Sequence, residues 1–409
     1  LDRSSAASDV YKRQIQIHPT AIPGEDKLRL MSESLRGEGG RVWVIGDSTK
    51  KIKTPDGKTI VCGETGKPWY FLEEMYPAFG NLVPRDVASR EILRVIELGL
   101  GVEGNAVHLD VTHLPDATLH KLESVLDIYE KFTGQNPRKV PMKIFPAMHY
   151  SMGGAWIDWP ASDDPDRMTR YRQMTNLSGC FNIGESEFQY HGANRLGANS
   201  LLSCIFGGLV SGVEVPRYID ELNETYDEIS ESVFIRELEK ERNFQEQLLN
   251  SDGTENIFDI HEDLSKIMIN YVSVKRNDKD LKKALSAIEE LKNRYGQISL
   301  SDRGSLLNQP YVFANQLHSM LELSSVIAQC ALLRKESRGA HFKPEYPERD
   351  DENWLKTTIA TYNPKTKTAN ISYVPIDTRH IKPVQREYVQ AKKTIPTVHN
   401  LPKNLSLPV

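Results

Sequence analysis

The chain has 409 residues, 39% of them hydrophobic and 26% charged, with a formal net charge of -5. That length can bury a sizeable core and build more than one domain. The mildly acidic balance, with no basic block interleaved with aromatics, argues against nucleic acid as a partner. No apolar run reaches transmembrane length and no signal-peptide pattern is present, so any membrane association goes through another subunit. Cys62, Cys180, Cys204 and Cys330 are scattered without a C-x-x-C pair. This argues against zinc or iron–sulfur ligation within the chain and fits reduced structural thiols in a cytosolic setting.

Residues 1–14 lack a starting Met and an apolar period, and they read as a non-native junction with sequence missing upstream. Ile15 to Thr20 reads as an alternating strand cut by Pro19, which holds His18 extended at the strand end. His18 there is either structural or a site residue. Leu30 to Gly40 brings together Ser32, Glu33, Arg36 and Glu38, which alone could be a solvated turn. Arg41 to Ile45 is a strand. Asn81 to Asp86 precedes a helical period at Val87, Ile92 and Val95, with Asp86 as its cap and Arg85 on the loop before it. Gly99 to Gly104 matches G-x-G-x-x-G but follows a helix and precedes a strand, the reverse of a dinucleotide fingerprint, and reads as a helix stop. Leu119 to Phe132 is an amphipathic helix. Pro141 to Gly154 is an apolar extended segment ending in His149 and a Gly pair.

Gly184 to Leu202 is the most chemically dense stretch. The apolar run Cys180 to Ile183 leads as a strand into a Gly-rich loop, and Asn199 or Ser200 caps a following helix, Leu201 to Val210. Close backbone approach at glycine and a helix N-terminus both suit an anion, and Arg195 adds a forked cation. A tight turn with an ordinary cap explains the pattern equally well. Beyond about residue 217 the chain is helix-rich: Leu281, Leu285, Ile288 and Leu291 stripe one helix, and Pro310 to Arg338 forms a long one. Trp354 to Val374 reads as a β-hairpin, and the proline-bearing end (Pro383, Pro396, Pro402, Pro408) is extended.

Taken bottom-up, His18, Ser32, Glu33, Arg36, Arg85, His149 and Arg195 make a cation-rich set suited to a small dianion, although spacing cannot show that they converge. Their settings occur in a fixed order: His18-Pro19-Thr20, Arg36 to Gly40, Pro84-Arg85-Asp86, Ala147 to Gly154, His191 to Gly197 with Asn199 to Leu202, and Arg334 to Gly339 on the late helix. Together they closely resemble the flavoprotein subunit of succinate dehydrogenase and fumarate reductase, from about Ile15 to the hairpin.

The resemblance implies an α/β plus α fold. Residues 15–148 would be an α+β capping domain with the end of a strand of the FAD domain, and 149–214 the returning, C-terminal part of a Rossmann-like FAD-binding domain. A helical domain at 215–340 and a β-hairpin domain at 341–409 would follow. It implies FAD as cofactor and interconversion of succinate and fumarate, with electrons passed to an iron–sulfur subunit, a membrane-anchor cytochrome b subunit and quinone, at the cytoplasmic face of the plasma membrane. His18, Ser32, His149 and Arg195 would hold the dicarboxylate. Arg85 would exchange the proton, relayed by Glu33 and Arg36, because an arginine with a pKa above about 12 needs a neighbour to return it. Glu185, Asn199, Ser200 and Leu201 would contact FAD; no metal is implied.

Ser32 stands where the family has Thr and Ser34 where it has Gly. The family's N-terminal dinucleotide half has no counterpart, so the chain as given is expected to bind FAD poorly and to be inactive alone. Two alternatives stand beside this reading: L-aspartate oxidase, which shares the capping and Gly-rich motifs, and a non-catalytic scaffold without the cofactor half.

Overall fold

A computed structural model describes residues 10–11, 15–23, 29–159, 170–187, 190–197, 199–223, 226–304, 306–363, 366, 368–378 and 382–384. Most of the 1–14 junction, Phe188-Gln189, Ala198, the hairpin turn residues Pro364, Lys365 and Lys367, and Pro396, Pro402 and Pro408 lie outside the described residues. The described chain forms two compact units: Gln16–Tyr150, and Ser151–Ile376 with the residues before Gln16.

In chain order the elements begin with β1 (Val10–Tyr11), which belongs to the second unit. The first unit then contains β2 (Ile15–Ile22), β3 (Arg29–Leu30), α1 (Ser34–Gly37), β4 (Arg41–Ile45), β5 (Asp47–Lys53), β6 (Thr59–Cys62) and β7 (Pro68–Trp69). It continues with α2 (Phe71–Met75), α3 (Arg85–Val95), β8 (Val107–Asp110), α4 (Asp116–Lys121), α5 (Glu123–Thr133) and β9 (Met142–Ser151). Six strands form one sheet in the order β3-β2-β9-β8-β4-β7, with β5-β6 a separate hairpin. Val42 opposes Leu109 across the antiparallel β4–β8 pair, and Leu109 opposes Met142 across β8–β9. All three are buried, and Ala88, Ile92 and Val95 of α3 join Leu126 and Tyr129 of α5 in the same cluster. Apolar residues three or four apart thus give each helix one face for the sheet.

Several expectations need correction. β2 does not stop at Pro19 but runs to Ile22, so His18 lies mid-strand. Pro84, not Asp86, is the N-cap of α3 and makes no side-chain cap bond; Arg85 is the first helical residue, and buried Asp86 pairs with Arg90 at 3.3 Å. The helix expected over 119–132 breaks at Leu122 into α4 and α5. The Gly99–Gly104 run is the expected helix stop: Gly99 turns the chain at φ 71° just before β8.

The second unit adds β10 (Gly154–Ala155), α6 (Asn199–Glu221), α7 (Glu231–Leu249), α8 (Ile257–Ile267), α9 (Asp278–Tyr295), α10 (Gln309–Leu333), α11 (Asp351–Trp354), β11 (Lys356–Asn363) and β12 (Thr368–Pro375). Its sheet has the order β10-β1-β11-β12, and β11–β12 is the antiparallel hairpin expected from the alternating runs. On α9, Leu281, Ala284, Ile288 and Leu291 are buried at spacings of three and four. The Asn256 side chain caps α8 by accepting the Phe258 N–H at 2.8 Å. Asn256→Ala is expected to cost about 1 kcal/mol, read from the midpoint of urea unfolding.

Three readings of this unit also change. Cys180 to Ile183 is no strand but a single bridge, Met174 to Phe181, before a 3-10 turn over Gly184–Ser186. Asn199 and Ser200 are the first two residues of α6 rather than its cap. Finally, α6 is long and apolar enough, by length and composition only, to span a membrane. The sequence conceals this because Ser203, Ser211, Glu214 and Arg217 interrupt every apolar run. The helix buries Ser203, Gly207, Val210 and Glu214 and exposes Leu201, Leu202, Ile205 and Leu209.

Candidate active site

The strand β2 alternates, so residues two apart share a face. Gln16, His18 and Thr20 make a polar row that is nonetheless buried. Thr20 anchors His18: its hydroxyl donates to Met31 O at 2.9 Å, while its Oγ1 and backbone N lie 3.0 and 3.3 Å from His18 Nδ1. Nδ1 therefore meets an acceptor or a donor, whichever the ring tautomer requires. The other ring nitrogen, Nε2, faces Glu33 Oε2 at 3.5 Å.

Glu33 is the hub of the cluster. Its Oε1 accepts from Arg36 Nη2, and its Oε2 accepts from Arg85 Nε at 3.0 Å. One carboxylate thus stands between two guanidiniums, with the His18 imidazole beside it. Arg36 is almost fully buried and donates Nη1 to the carbonyls of Asn81 (2.8 Å) and Val83 (3.2 Å). Burial pushes the Arg36 guanidinium below its ordinary pKa; Glu33 opposes this and the Arg85 charge adds to it. Arg85 also donates Nη1 to Gln16 Oε1 at 3.1 Å, and its Nη2 has no partner among the described residues. A cation on the first residue of a helix sits at the wrong end of the helix dipole, a cost of roughly 0.3–1 kcal/mol. Glu33 offsets that cost.

His149 on β9 is exposed and meets His18 edge to face, ring centroids 5.2 Å apart. Ser32 is also exposed; its Oγ lies 2.7 Å from Ser34 Oγ and accepts the Ser34 N–H at 3.2 Å. Ser34, at the position where the family has Gly, is the first residue of α1. Of the expected set, the first unit gathers His18, Glu33, Arg36 and Arg85 into one network with His149 against it, and Ser32 adjoins Glu33 in the chain. Sequence reasoning missed Gln16, Thr20 and the Asn81 and Val83 carbonyls. The alternation of β2 carried the signal for Gln16 and Thr20; nothing local marked the carbonyls.

Arg195, in the second unit, is buried; its N–H donates to Met152 Sδ at 2.9 Å and its Nη1 to Leu196 O at 3.1 Å. Its loop touches α6 through His191 Nε2, 3.2 Å from Ser203 Oγ. Burial, then the Arg195 charge, holds the His191 imidazole below its ordinary pKa. Glu185 is exposed and its Oε1 accepts the Ser151 N–H at 2.8 Å. Gly184, at φ 70°, lies so close to α6 that a Cβ would meet Cys204 Sγ at 2.7 Å. An exposed carboxylate, the N-terminus of α6 and the exposed Leu201 suit sugar hydroxyls, an anionic or carbonyl oxygen and an apolar ring.

Residues 3–201 match the family model of an FAD binding domain, and residues 261–388 that of the fumarate reductase flavoprotein C-terminus. The chain is 45% identical over 403 residues to the succinate dehydrogenase flavoprotein subunit of Bacillus subtilis, covering 96% of this chain and 64% of that protein. It belongs to the succinate dehydrogenase and fumarate reductase flavoprotein family. Its cofactor is FAD. The fumarate reductase flavoprotein subunit of Haemophilus influenzae is 31% identical to this flavoprotein, over 91% of this chain and 59% of its own length. A solved quinol fumarate reductase from Escherichia coli, carrying a point mutation, superposes with a TM-score of 0.76 at 28% identity, covering 95% of this chain and 63% of its own. The flavoprotein described here thus spans less than two thirds of the length of these relatives.

Proposed function

We propose that this flavoprotein interconverts succinate and fumarate. The observation that carries the reading is the single carboxylate, Glu33, held between the Arg36 and Arg85 guanidiniums beside the His18–His149 pair. FAD, when bound, supplies the hydride exchange on one carbon. Arg85 gives or takes the proton on the neighbouring carbon through its open Nη2. Glu33 returns that proton by way of Oε2, and Arg36 completes the relay on Oε1. His18, Ser32 and His149 bind carboxylate oxygens, and Arg195 is the carboxylate-binding cation of its own unit. Fixed cations stabilise charge that develops beside a carboxylate, and do so without reorganising when it appears. Glu185, Asn199, Ser200 and Leu201 hold the cofactor. An iron–sulfur subunit and a membrane-anchor cytochrome b subunit carry the electrons to quinone, which makes the flavoprotein peripheral to the membrane.

The test is turnover with a dye acceptor, using the protein expressed from its complete reading frame with FAD bound. Succinate is expected to be oxidised and L-aspartate not. Turnover of L-aspartate instead would replace this reading with an aspartate oxidase. A folded protein that retains no FAD and turns over neither would support a scaffold.

A further inference from the structure

The Arg334–Gly339 motif has no role in the chemistry above, and it does not lie on the late helix as expected: α10 ends at Leu333. Its last residues form a turn, closed by Arg338 N–H to His341 O at 2.8 Å and His341 N–H to Arg338 O at 3.1 Å. The tip of this turn presses on the loop that carries Arg195. Ala340 N–H donates to Ala193 O at 3.0 Å. Gly339 has φ 59°, and a Cβ there would lie 2.2 Å from Ala193 O and 2.6 Å from Ala193 C. No side chain fits at that distance, since the obstacle is backbone and not the end of a flexible chain.

The base of the turn is rigid. Arg338 donates Nη2 to Glu336 Oε2 at 2.9 Å and to Asp351 Oδ1 at 2.6 Å. On the other side Arg276 Nη1 lies 2.8 Å from His341 Nδ1, and Arg276 N–H donates to Phe342 O at 3.0 Å. A fixed base and a tip without a side chain set the height of Ala193, two residues before Arg195. We propose that the 338–341 turn is a positioning element for Arg195: Gly339 and Ala340 fix the Ala193 backbone, and through it the guanidinium that binds a substrate carboxylate. This rests on the reading of Arg195 as a carboxylate-binding residue.

A double-mutant cycle in the FAD-loaded enzyme tests it, with dicarboxylate affinity read from the change in flavin absorbance. Gly339→Ala is expected to weaken fumarate binding at least tenfold in the parent but less than threefold when Arg195→Lys is already present. Hydrogen exchange of the 190–197 backbone is expected to quicken at least tenfold, with α8 unchanged. Equal losses of affinity in both backgrounds, or a folded Gly339→Ala protein with parental affinity, would overturn the proposal. Should Gly339→Ala fail to fold, Asp351→Asn loosens Arg338 without a clash and is expected to speed 190–197 exchange at least threefold; parental exchange there counts against it. The two readings fail separately. If Arg195→Lys alone leaves fumarate affinity intact, Arg195 does not bind the dicarboxylate, and exchange of 190–197 alone decides whether the turn positions the loop.

Discussion

Arg85→Ala is expected to lower turnover of succinate by a factor on the order of 100 to 10,000, the range general acid–base catalysis supplies. Dicarboxylate affinity is expected to change far less, because the proposed carboxylate-binding residues of the same unit, His18, Ser32 and His149, remain. Stopped-flow reduction of the bound flavin by succinate measures the first, and titration with fumarate the second. A guanidinium is a poor acid in isolation, so what matters is how its proton is replaced. Here Glu33 accepts from Arg85 Nε at 3.0 Å and from Arg36 on its other oxygen. Arg36 is itself pushed toward proton release by burial. Lysine at position 85 keeps the charge but, as a compact ammonium, cannot hold the Nε–Glu33 and Nη1–Gln16 contacts of the planar fork together. Arg85→Lys should therefore fall between the parent and Arg85→Ala. A loss below tenfold in Arg85→Ala would remove Arg85 from proton transfer and leave the Glu33 cluster as a binding device.

How much of this was legible depended on whether a signal was local. The strand at 41–45 and the extended segment at 142–151 follow from short apolar runs and the C-terminal hairpin from alternation; the α9 stripe follows from its period, except that Ala284, not Leu285, is the buried member. The reversed glycine run was readable because element order alone excluded a phosphate loop. The convergence on Glu33 was not readable, since Arg85 lies 52 positions away and the sheet and α3 bring it back. The end of α10 was hidden for a different reason. Leu333-Arg334-Lys335-Glu336 are good helix formers with no stop signal before Gly339. The Arg334 side chain is instead drawn to the carbonyls of Trp354 and Lys356, and tertiary contacts override propensity. The Asp86 cap failed similarly: Asp is a better N-cap than Pro, but Pro84 takes the capping position and Arg85 must begin the helix to reach Glu33.

Glu336→Gln is expected to destabilise the second unit by about 3–5 kcal/mol, the cost of breaking a buried ion pair from one side. Glu336 and Arg334 are essentially inaccessible to solvent. Glu336 Oε1 accepts from Arg334 Nη1 and from Arg338 Nε, and Oε2 accepts from Arg338 Nη2 at 2.9 Å and from Asp350 N–H at 3.1 Å. Glutamine keeps the shape but turns one of these acceptors into a donor facing other donors, and it leaves Arg334 buried without a countercharge. Removing both partners would not restore stability. Arg334 also donates to Trp354 O at 2.7 Å and to Thr358 Oγ1 at 3.1 Å, so its loss removes donors that tie α11 and β11 as well. Added salt should not mask the effect, because a pair this deep is little screened. Urea unfolding followed separately for each unit measures it: the second unit's transition should move to lower urea while that of Gln16–Tyr150 stays in place. A shift corresponding to less than about 1 kcal/mol would mean that Glu336 is not a buried charge in solution. The same substitution also frees one side of Arg338, so in Glu336→Gln the Arg195 loop should loosen along with the fold. Asp351→Asn, which introduces no clash, should loosen that loop while the Glu336–Arg334 pair stays intact, and this difference separates support of the site from support of the structure.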